Sequence, residues 1–363
     1  MNGAVASEEK RIENGVQDLS EGGELPVSES KCCTFLPRPH TRTKTEVPIL
    51  FREPHVEAGF RELYCPWYYY LCSVFQVHNE SMNVWTHLLA VVLLARKLIM
   101  FTEEIDFVGD PYSWPFLAGG ISGLLLYSFS AFAHCMQSKS EMYHYTAFMF
   151  DYAGIGLYGL GSVILHLNYC SEPEFYDAVV KWFVPLGSIL GFAIYACCTV
   201  AKTMYKRPYP FARKIWQMVP VASIYCLLIS PIAHRLFACF VHGEDCNESI
   251  PYHIREIMWF LVSGFFFATD MPQRFLPGKC DVFFHSHQIF HICIMTCTLT
   301  QMDGAYIDFL TRDEVLRVRP QPTFLSAFGP VIATLAVDMI CIYLTAKWVE
   351  RNLITDKPRK KSQ

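Results

Sequence analysis

The sequence predicts an all-α polytopic membrane helix bundle: a seven-span core with an intramembrane zinc site, plus an eighth C-terminal span. Three observations predict it. Of the 363 residues, 52% are hydrophobic and only 18% charged, whereas soluble domains carry about 25% charged residues. Apolar runs recur from residue 84 to residue 348, each near the roughly 20 residues that cross a bilayer core. Histidines and carboxylates fall inside or beside these runs, where an ionisable group is costly and marks function.

Taken in order, residues 1–60 read as a flexible cytoplasmic tail, rich in Glu, Ser, Gly and Pro and without periodicity. The tail has no charged segment followed by an apolar one, so it does not read as a cleaved signal peptide. Within it, Cys32-Cys33 reads as two unmodified thiols in preference to a palmitoylation site. Residues 61–350 form the bundle. It opens with the aromatic stretch Trp67-Tyr-Tyr-Tyr-Leu-Cys-Ser-Val-Phe, whose Trp and Tyr favour a membrane–water boundary and predict an interfacial helix. Eight candidate spans follow, at 84–101, 114–136, 146–167, 180–201, 215–236, 254–270, 285–303 and 325–348. The first, fifth, sixth and seventh are short or carry polar residues, so a seven-span count is the alternative. Residues 351–363 make a basic cytoplasmic tail.

The loops set the orientation. Lys139 follows the second span, Lys202, Lys206, Arg207, Arg213 and Lys214 flank the turn after the fourth, and Arg274 and Lys279 follow the sixth. Lys357-Pro-Arg-Lys-Lys361 closes the chain. The opposite loops are acidic or mixed: Glu103-Glu-Ile-Asp, Glu172-Pro-Glu-Phe-Tyr-Asp and Glu244-Asp-Cys-Asn-Glu. Basic loops stay cytoplasmic, so both termini are expected inside. The loop after the seventh span is mixed, with Arg312, Arg317 and Arg319 beside Asp308, Asp313 and Glu314.

Composition also excludes. No Gly-rich phosphate loop, no CxxC pair and no basic patch suited to nucleic acid is present. The 15 cysteines do not form a disulfide framework, since most sit in apolar runs as small hydrophobes. In the expected outer loop, Asn247-Glu-Ser249 is a glycosylation pattern. A Cys239–Cys246 bridge, or one from either to Cys170, is compatible with an oxidising compartment.

The candidate site starts from His285-Ser-His-Gln-Ile-Phe-His291. On a helix, His287 and His291 are one turn apart on one face, while His285 points away. Two imidazoles at that spacing are half of a zinc site. Loop-derived topology brings His134, from the end of the second span, and Asp151, from the start of the third, to the same depth. Three histidines plus a carboxylate or water make a four-coordinate zinc site. Ser130, one turn before His134, would be a hydrogen-bond partner or steady an oxyanion. Zinc here would activate a water on a lipid amide or ester, or only staple the helices; the structural alternative is that the four residues cross-link the bundle by hydrogen bonds without a metal.

Ser230-Pro-Ile-Ala-His234 has the same Ser-x3-His spacing but falls at the opposite end, and reads as a helix end with a Pro kink. His166 also lies at that end. Glu80, Asn83 and His87 form a polar stripe facing the bundle, with Asn79 or Ser81 as helix caps. Asp338 stands alone in the eighth span, where it must face protein, a cavity or a ligand.

Asn79-Glu-x-x-Asn83-x-Trp85-Thr-His87, Ser130-x3-His134, Asp151-Tyr152 and His287-Gln-Ile-Phe-His291 occur in that order. Together they resemble the motif set of the progestin and adipoQ receptor family, across residues 50–350. Leu50-Phe-Arg-Glu-Pro, Gln137-Ser-Lys-Ser-Glu, Arg207-Pro-Tyr-Pro and Ile229-Ser-Pro-Ile-Ala-His-Arg are similar to its membrane progestin receptor branch, as is the span after the His-x3-His helix. The resemblance implies a plasma-membrane receptor for progesterone-like steroids, embedded among membrane lipids, with rapid non-genomic signalling through inhibitory heterotrimeric G proteins. It implies zinc ligation by His134, His287 and His291, with Asp151 holding a water and Ser130 nearby. In the adiponectin receptor branch the same site is associated with ceramide hydrolysis, so a zinc-dependent lipid amidase with Ser130 and Asp151 in catalytic roles is the alternative expectation.

Overall fold

The computed structural model describes residues 41–206, 209–243 and 246–355. The Cys32-Cys33 pair, the basic run at Lys357 to Lys361, Arg207, Glu244 and Asp245 lie outside the described residues. Each expected span has its helix: α1 Ser81–Phe101, α2 Trp114–Met136, α3 Glu141–Tyr169, α4 Pro173–Met204, α5 Phe211–Phe237, α6 Ile250–Thr269, α7 Ser286–Thr311 and α8 Phe324–Val349. The aromatic stretch forms a short helix, Trp67–Ser73. Among the described residues there is no strand, only an isolated bridge between Arg42 and Phe60.

Local chemistry sets the helix ends. Ser140 caps α3 by accepting from the Tyr143 amide, and Thr323 caps α8 from Ser326. Proline sits in the first turn of α2, α4 and α6, where its missing N–H has no helical partner to lose. Pro231 does not end its helix; α5 runs through it to Phe237.

Six helices, α1 to α5 and α8, are long and apolar enough to cross a membrane. The two that fall short, α6 and α7, carry His253 and Glu256, and His291, Gln301 and Asp308, all buried. Their polarity is turned into the bundle, so hydropathy averaged over the helix understates how they pack. The outer faces of the bundle carry exposed Val92, Ile99, Ile189, Leu261, Ile340 and Leu344, an apolar mantle that suits lipid and not water.

α3 is the central helix: 78% of its most apolar window is buried, against 28% for α8. It packs on α2, α4, α5, α7 and α8. Its crossing with α4 is as close as backbone allows. A Cβ on Gly156 would lie 2.3 Å from the Gly191 carbonyl oxygen, and one on Gly191 2.8 Å from that of Gly156, the close approach that small residues permit between membrane helices. The helices alternate in direction. The start of α1, the end of α2 and the start of α7 meet at one end of the bundle, and the ends of α5 and α7 meet the start of α6 at the other.

Residues 41–60, which composition assigns to a flexible tail, are folded onto the bundle. Val47, Phe51, Val56 and Phe60 are buried, and the Asp281 carboxylate accepts the amides of Glu57 and Ala58 at 3.0 and 2.9 Å. Four apolar anchors without a repeat are too few to raise the segment's average hydropathy, yet enough to hold it. At the far end, Cys239 and Cys246 are disulfide-bonded, while Cys170 is a free, buried thiol.

Candidate metal centre

Helix phase brings three imidazoles to one point. His291 and His287 project from successive turns of α7, and His134 from the last turn of α2. His287 Nε2 lies 3.3 Å from His134 Nε2 and 3.1 Å from His291 Nε2. Bonds of about 2.0–2.1 Å to a tetrahedral ion place its donors about 3.3–3.4 Å apart, so these separations are those of ligands around one ion. The ligand atoms of the three histidines all lie within 4.8 Å of one another, as a group able to hold a metal.

The neighbours of the rings decide which nitrogens are free. His134 Nδ1 is 2.8 Å from Glu80 Oε2; a carboxylate there requires a proton on Nδ1 and leaves the Nε2 lone pair bare. Thr86 Oγ1 lies 2.7 Å from the Met82 carbonyl oxygen and donates to it, so at 3.2 Å from His291 Nδ1 it accepts that nitrogen's proton. Two of the three inward-facing lone pairs are thus fixed by groups behind the rings. The third nitrogen, His287 Nε2, faces both of these lone pairs, so the donor set fits a cation held by all three rings.

The expected polar stripe supplies the first of these groups, Glu80, whereas Thr86 lies outside it. Glu80, Asn83 and His87 are 2–4% exposed, and Asn83 Nδ2 donates to Glu80 Oε2 at 2.7 Å. His87 sits with its ring centroid 3.7 Å from that of His291, and neither of its ring nitrogens has a hydrogen-bond partner among the described residues. Asp151 and Ser130 are both buried. Asp151 is not in the close ligand group, so it borders the centre without joining the three nitrogens. His285 points away, with Nε2 3.3 Å from the Asn79 carbonyl oxygen.

Sequence reasoning missed Arg61. It is 1% exposed and donates to the carbonyls of His134 and Cys135, each at 2.7 Å, and to Ser73 Oγ at 2.9 Å. Those carbonyls belong to the open end of α2, which has no further turn to satisfy them. The guanidinium therefore fixes the turn that carries His134.

A second buried polar cluster occupies the opposite end. His234, the residue of the duplicated spacing, is exposed, whereas its neighbour Arg235 is fully buried. Arg235 Nη1 donates to both Asp308 oxygens at 2.7 and 2.8 Å. His253 Nε2 is 2.8 Å from Asp308 Oδ2, and Ser249 Oγ is 2.6 Å from Asp308 Oδ1. Asn247 Nδ2 reaches Asp308 and Thr311, at 3.3 and 3.2 Å. Asp308 was legible only as one charge of a mixed loop; in the structure it is a wholly enclosed anion. Asp338 is likewise buried in α8 and has no hydrogen-bond partner among the described residues.

A family profile described as haemolysin-III related matches residues 75–302, from just before α1 into α7. The membrane progestin receptor beta of Homo sapiens is 40% identical over 306 residues, 84% of this chain and 82% of that protein. The human membrane progestin receptor alpha is 35% identical over 313 residues, covering 86% and 90%. The membrane progestin receptor alpha-B of Danio rerio is 36% identical over 275 residues, covering 76% and 78%. With the motifs standing together around one centre and these relatives matched along most of their length, the chain belongs to the haemolysin-III related family, that of the membrane progestin receptors.

Proposed function

We propose that the chain is a plasma-membrane receptor for progesterone-like steroids, with eight spans and both termini cytoplasmic, signalling through an inhibitory heterotrimeric G protein. The observation that carries this reading is the 40% identity to a membrane progestin receptor beta over 84% of the chain. The all-helical bundle with its apolar outer mantle supports it, since a membrane receptor needs helices that can stand in lipid. The basic segment after α4 is the natural cytoplasmic contact. Part of its charge is already engaged: Lys214 Nζ lies 2.7 Å from Asp270, and Lys202 Nζ 3.8 Å from the Phe148 ring centroid.

His134, His287 and His291 would hold zinc, with Glu80 and Thr86 orienting two of the rings. Zinc at such a centre supplies Lewis acidity and lowers the pKa of a coordinated water to about 7. Asp151 and Ser130 would be the residues that hold a water beside the centre and accept its proton. The same residues carry a second reading, a zinc-dependent amidase acting on ceramide-like membrane lipids. Ser130 and Asp151, both buried in the helices that carry or flank His134, favour it, since a purely structural metal would not need them.

One preparation tests both. Membranes from cells expressing the chain should bind radiolabelled progesterone saturably, and absence of binding above that of untransfected membranes rejects the receptor reading. Purified protein supplied with ceramide should release fatty acid only if the centre is catalytic. Product formation that survives both chelation and the His287→Ala and His291→Ala substitutions removes the second reading.

A further inference from the structure

The three-histidine centre has polar neighbours on two sides. Toward the end of the bundle, Glu80 bonds His134 Nδ1, Asn83 Nδ2 donates to Glu80, and Arg61 donates to the carbonyls of His134 and Cys135. Toward the middle of the bundle stands His87. It lies six residues into α1, about 9 Å along the helix from its start. Its ring centroid is 3.7 Å from that of His291, 5.4 Å from that of Tyr127 and 6.3 Å from that of His134.

Beyond Tyr127 a column of polar side chains runs on between α2, α3 and α7, and its members are paired. Tyr127 Oη lies 2.6 Å from Thr298 Oγ1, and Thr298 Oγ1 2.8 Å from Tyr158 Oη. Tyr158 and Ser162 donate to Gln301 Oε1 at 2.9 and 3.2 Å, and Gln301 Nε2 donates to His166 Nε2 at 3.0 Å. Buried polar groups are kept when they are bonded in this way. His87, where the column meets the centre, breaks the rule: it is 4% exposed, and both ring nitrogens lack a hydrogen-bond partner among the described residues. Asn83 Oδ1, one turn earlier, also lacks one, but it accepts and cannot donate.

We propose that His87 is the hydrogen-bond donor for the carbonyl oxygen of a membrane-embedded ligand seated beside the three-histidine centre, on the side of the bundle middle. An imidazole carries at least one N–H in either protonation state, whereas a carbonyl oxygen only accepts. The ligand class rests on the reading above: a progesterone-like steroid presents ketones and a ceramide-like lipid an amide carbonyl. His87 is outside the close group of metal ligands, so its contact with the ligand is separable from metal binding.

His87→Phe keeps an aromatic ring against His291 and removes the N–H. Full-length variant purified in detergent should bind zinc within about twofold of wild type and unfold at no lower temperature, because an unpaired polar group is exchanged for an apolar one. In membranes it should bind progesterone about 10-fold more weakly, the loss of one buried hydrogen bond. Of the two progesterone analogues that each lack one ketone, one should bind wild type about 10-fold more weakly than progesterone does, yet bind His87→Phe as well as progesterone does. If the Phe ring does not fit, His87→Leu, smaller than the native ring, carries the same comparison. If wild type does not bind progesterone, the receptor reading fails by itself, and the comparison passes to ceramide and its analogue with the amide carbonyl reduced to a methylene. Four results would each overturn the proposal: a wild type that binds neither lipid, variants that bind ligand as tightly as wild type, carbonyl removals that cost the same in wild type and variant, or variants that lose zinc or stability together with ligand. His87 would then only pack against His291.

Discussion

Replacing Glu80 by Gln isolates the group behind His134 from the three nitrogens in front. The pair is enclosed, with side chains 3% and 4% exposed, at 2.8 Å. Gln keeps the length of the side chain, and its carbonyl oxygen can still accept from His134 Nδ1 and from Asn83 Nδ2, so the ring stays in place while the negative charge goes. Charge raises the basicity of the ligating imidazole, and loss of such a partner weakens metal binding about 10- to 100-fold, or about 1.4–2.7 kcal/mol. Without metal the Gln oxygen still accepts from His134 Nδ1 and Asn83 Nδ2, so no buried donor is left unsatisfied and the apo fold loses little. The expected signature is therefore conditional. Competitive titration against a chromophoric chelator should show the loss of affinity, and thermal unfolding should show a lower midpoint than wild type in the presence of zinc, with the two midpoints converging in chelator. If Glu80→Gln binds metal as tightly as wild type, or lowers the midpoint equally with and without metal, Glu80 does not act through His134 and the metal-centre geometry is misread.

Thr86→Val removes a neutral partner instead of a charged one and should weaken metal binding by only about 1 kcal/mol, read in the same titration. Arg61→Met deletes a buried guanidinium that bonds three acceptors; it should destabilise the protein by about 2–5 kcal/mol in denaturant unfolding, and a loss below about 1 kcal/mol would remove its structural role. Gly156→Ala places a methyl against the Gly191 carbonyl at 2.3 Å and should cost about 1–3 kcal/mol by the same measurement, although alanine is the better helix former. A neutral result there would mean that α3 and α4 are not in backbone contact.

Eight helices were legible because each apolar run is long relative to its loops, and loop charges alone brought His134, Asp151, His287 and His291 to one depth. What the sequence hid has physical reasons. Glu80 was recognisable as polar and inward-facing, but its partner His134 is 54 residues away on another helix, beyond any local pattern. Arg61 sits in a segment whose average composition is that of a tail, and nothing around it announces a buried cation. The duplicated Ser-x3-His spacing drew attention to His234, one residue short of the enclosed Arg235. The His253-x-x-Glu256 pair and Asp308 counted against α6 and α7 as spans, because hydropathy cannot separate a charge facing lipid from one enclosed by its counter-charge.

The loop after α5 has a consequence for how the chain matures. Asn247 and Ser249 are the two recognition residues of a glycosylation pattern, yet Ser249 is wholly buried and Asn247 Nδ2 donates to Asp308 and Thr311. A sugar is joined through that same nitrogen. A glycan would therefore leave Nδ2 with one N–H for the two acceptors it now bonds. A sugar at Asn247 would thus loosen the contact between this loop and the end of α7.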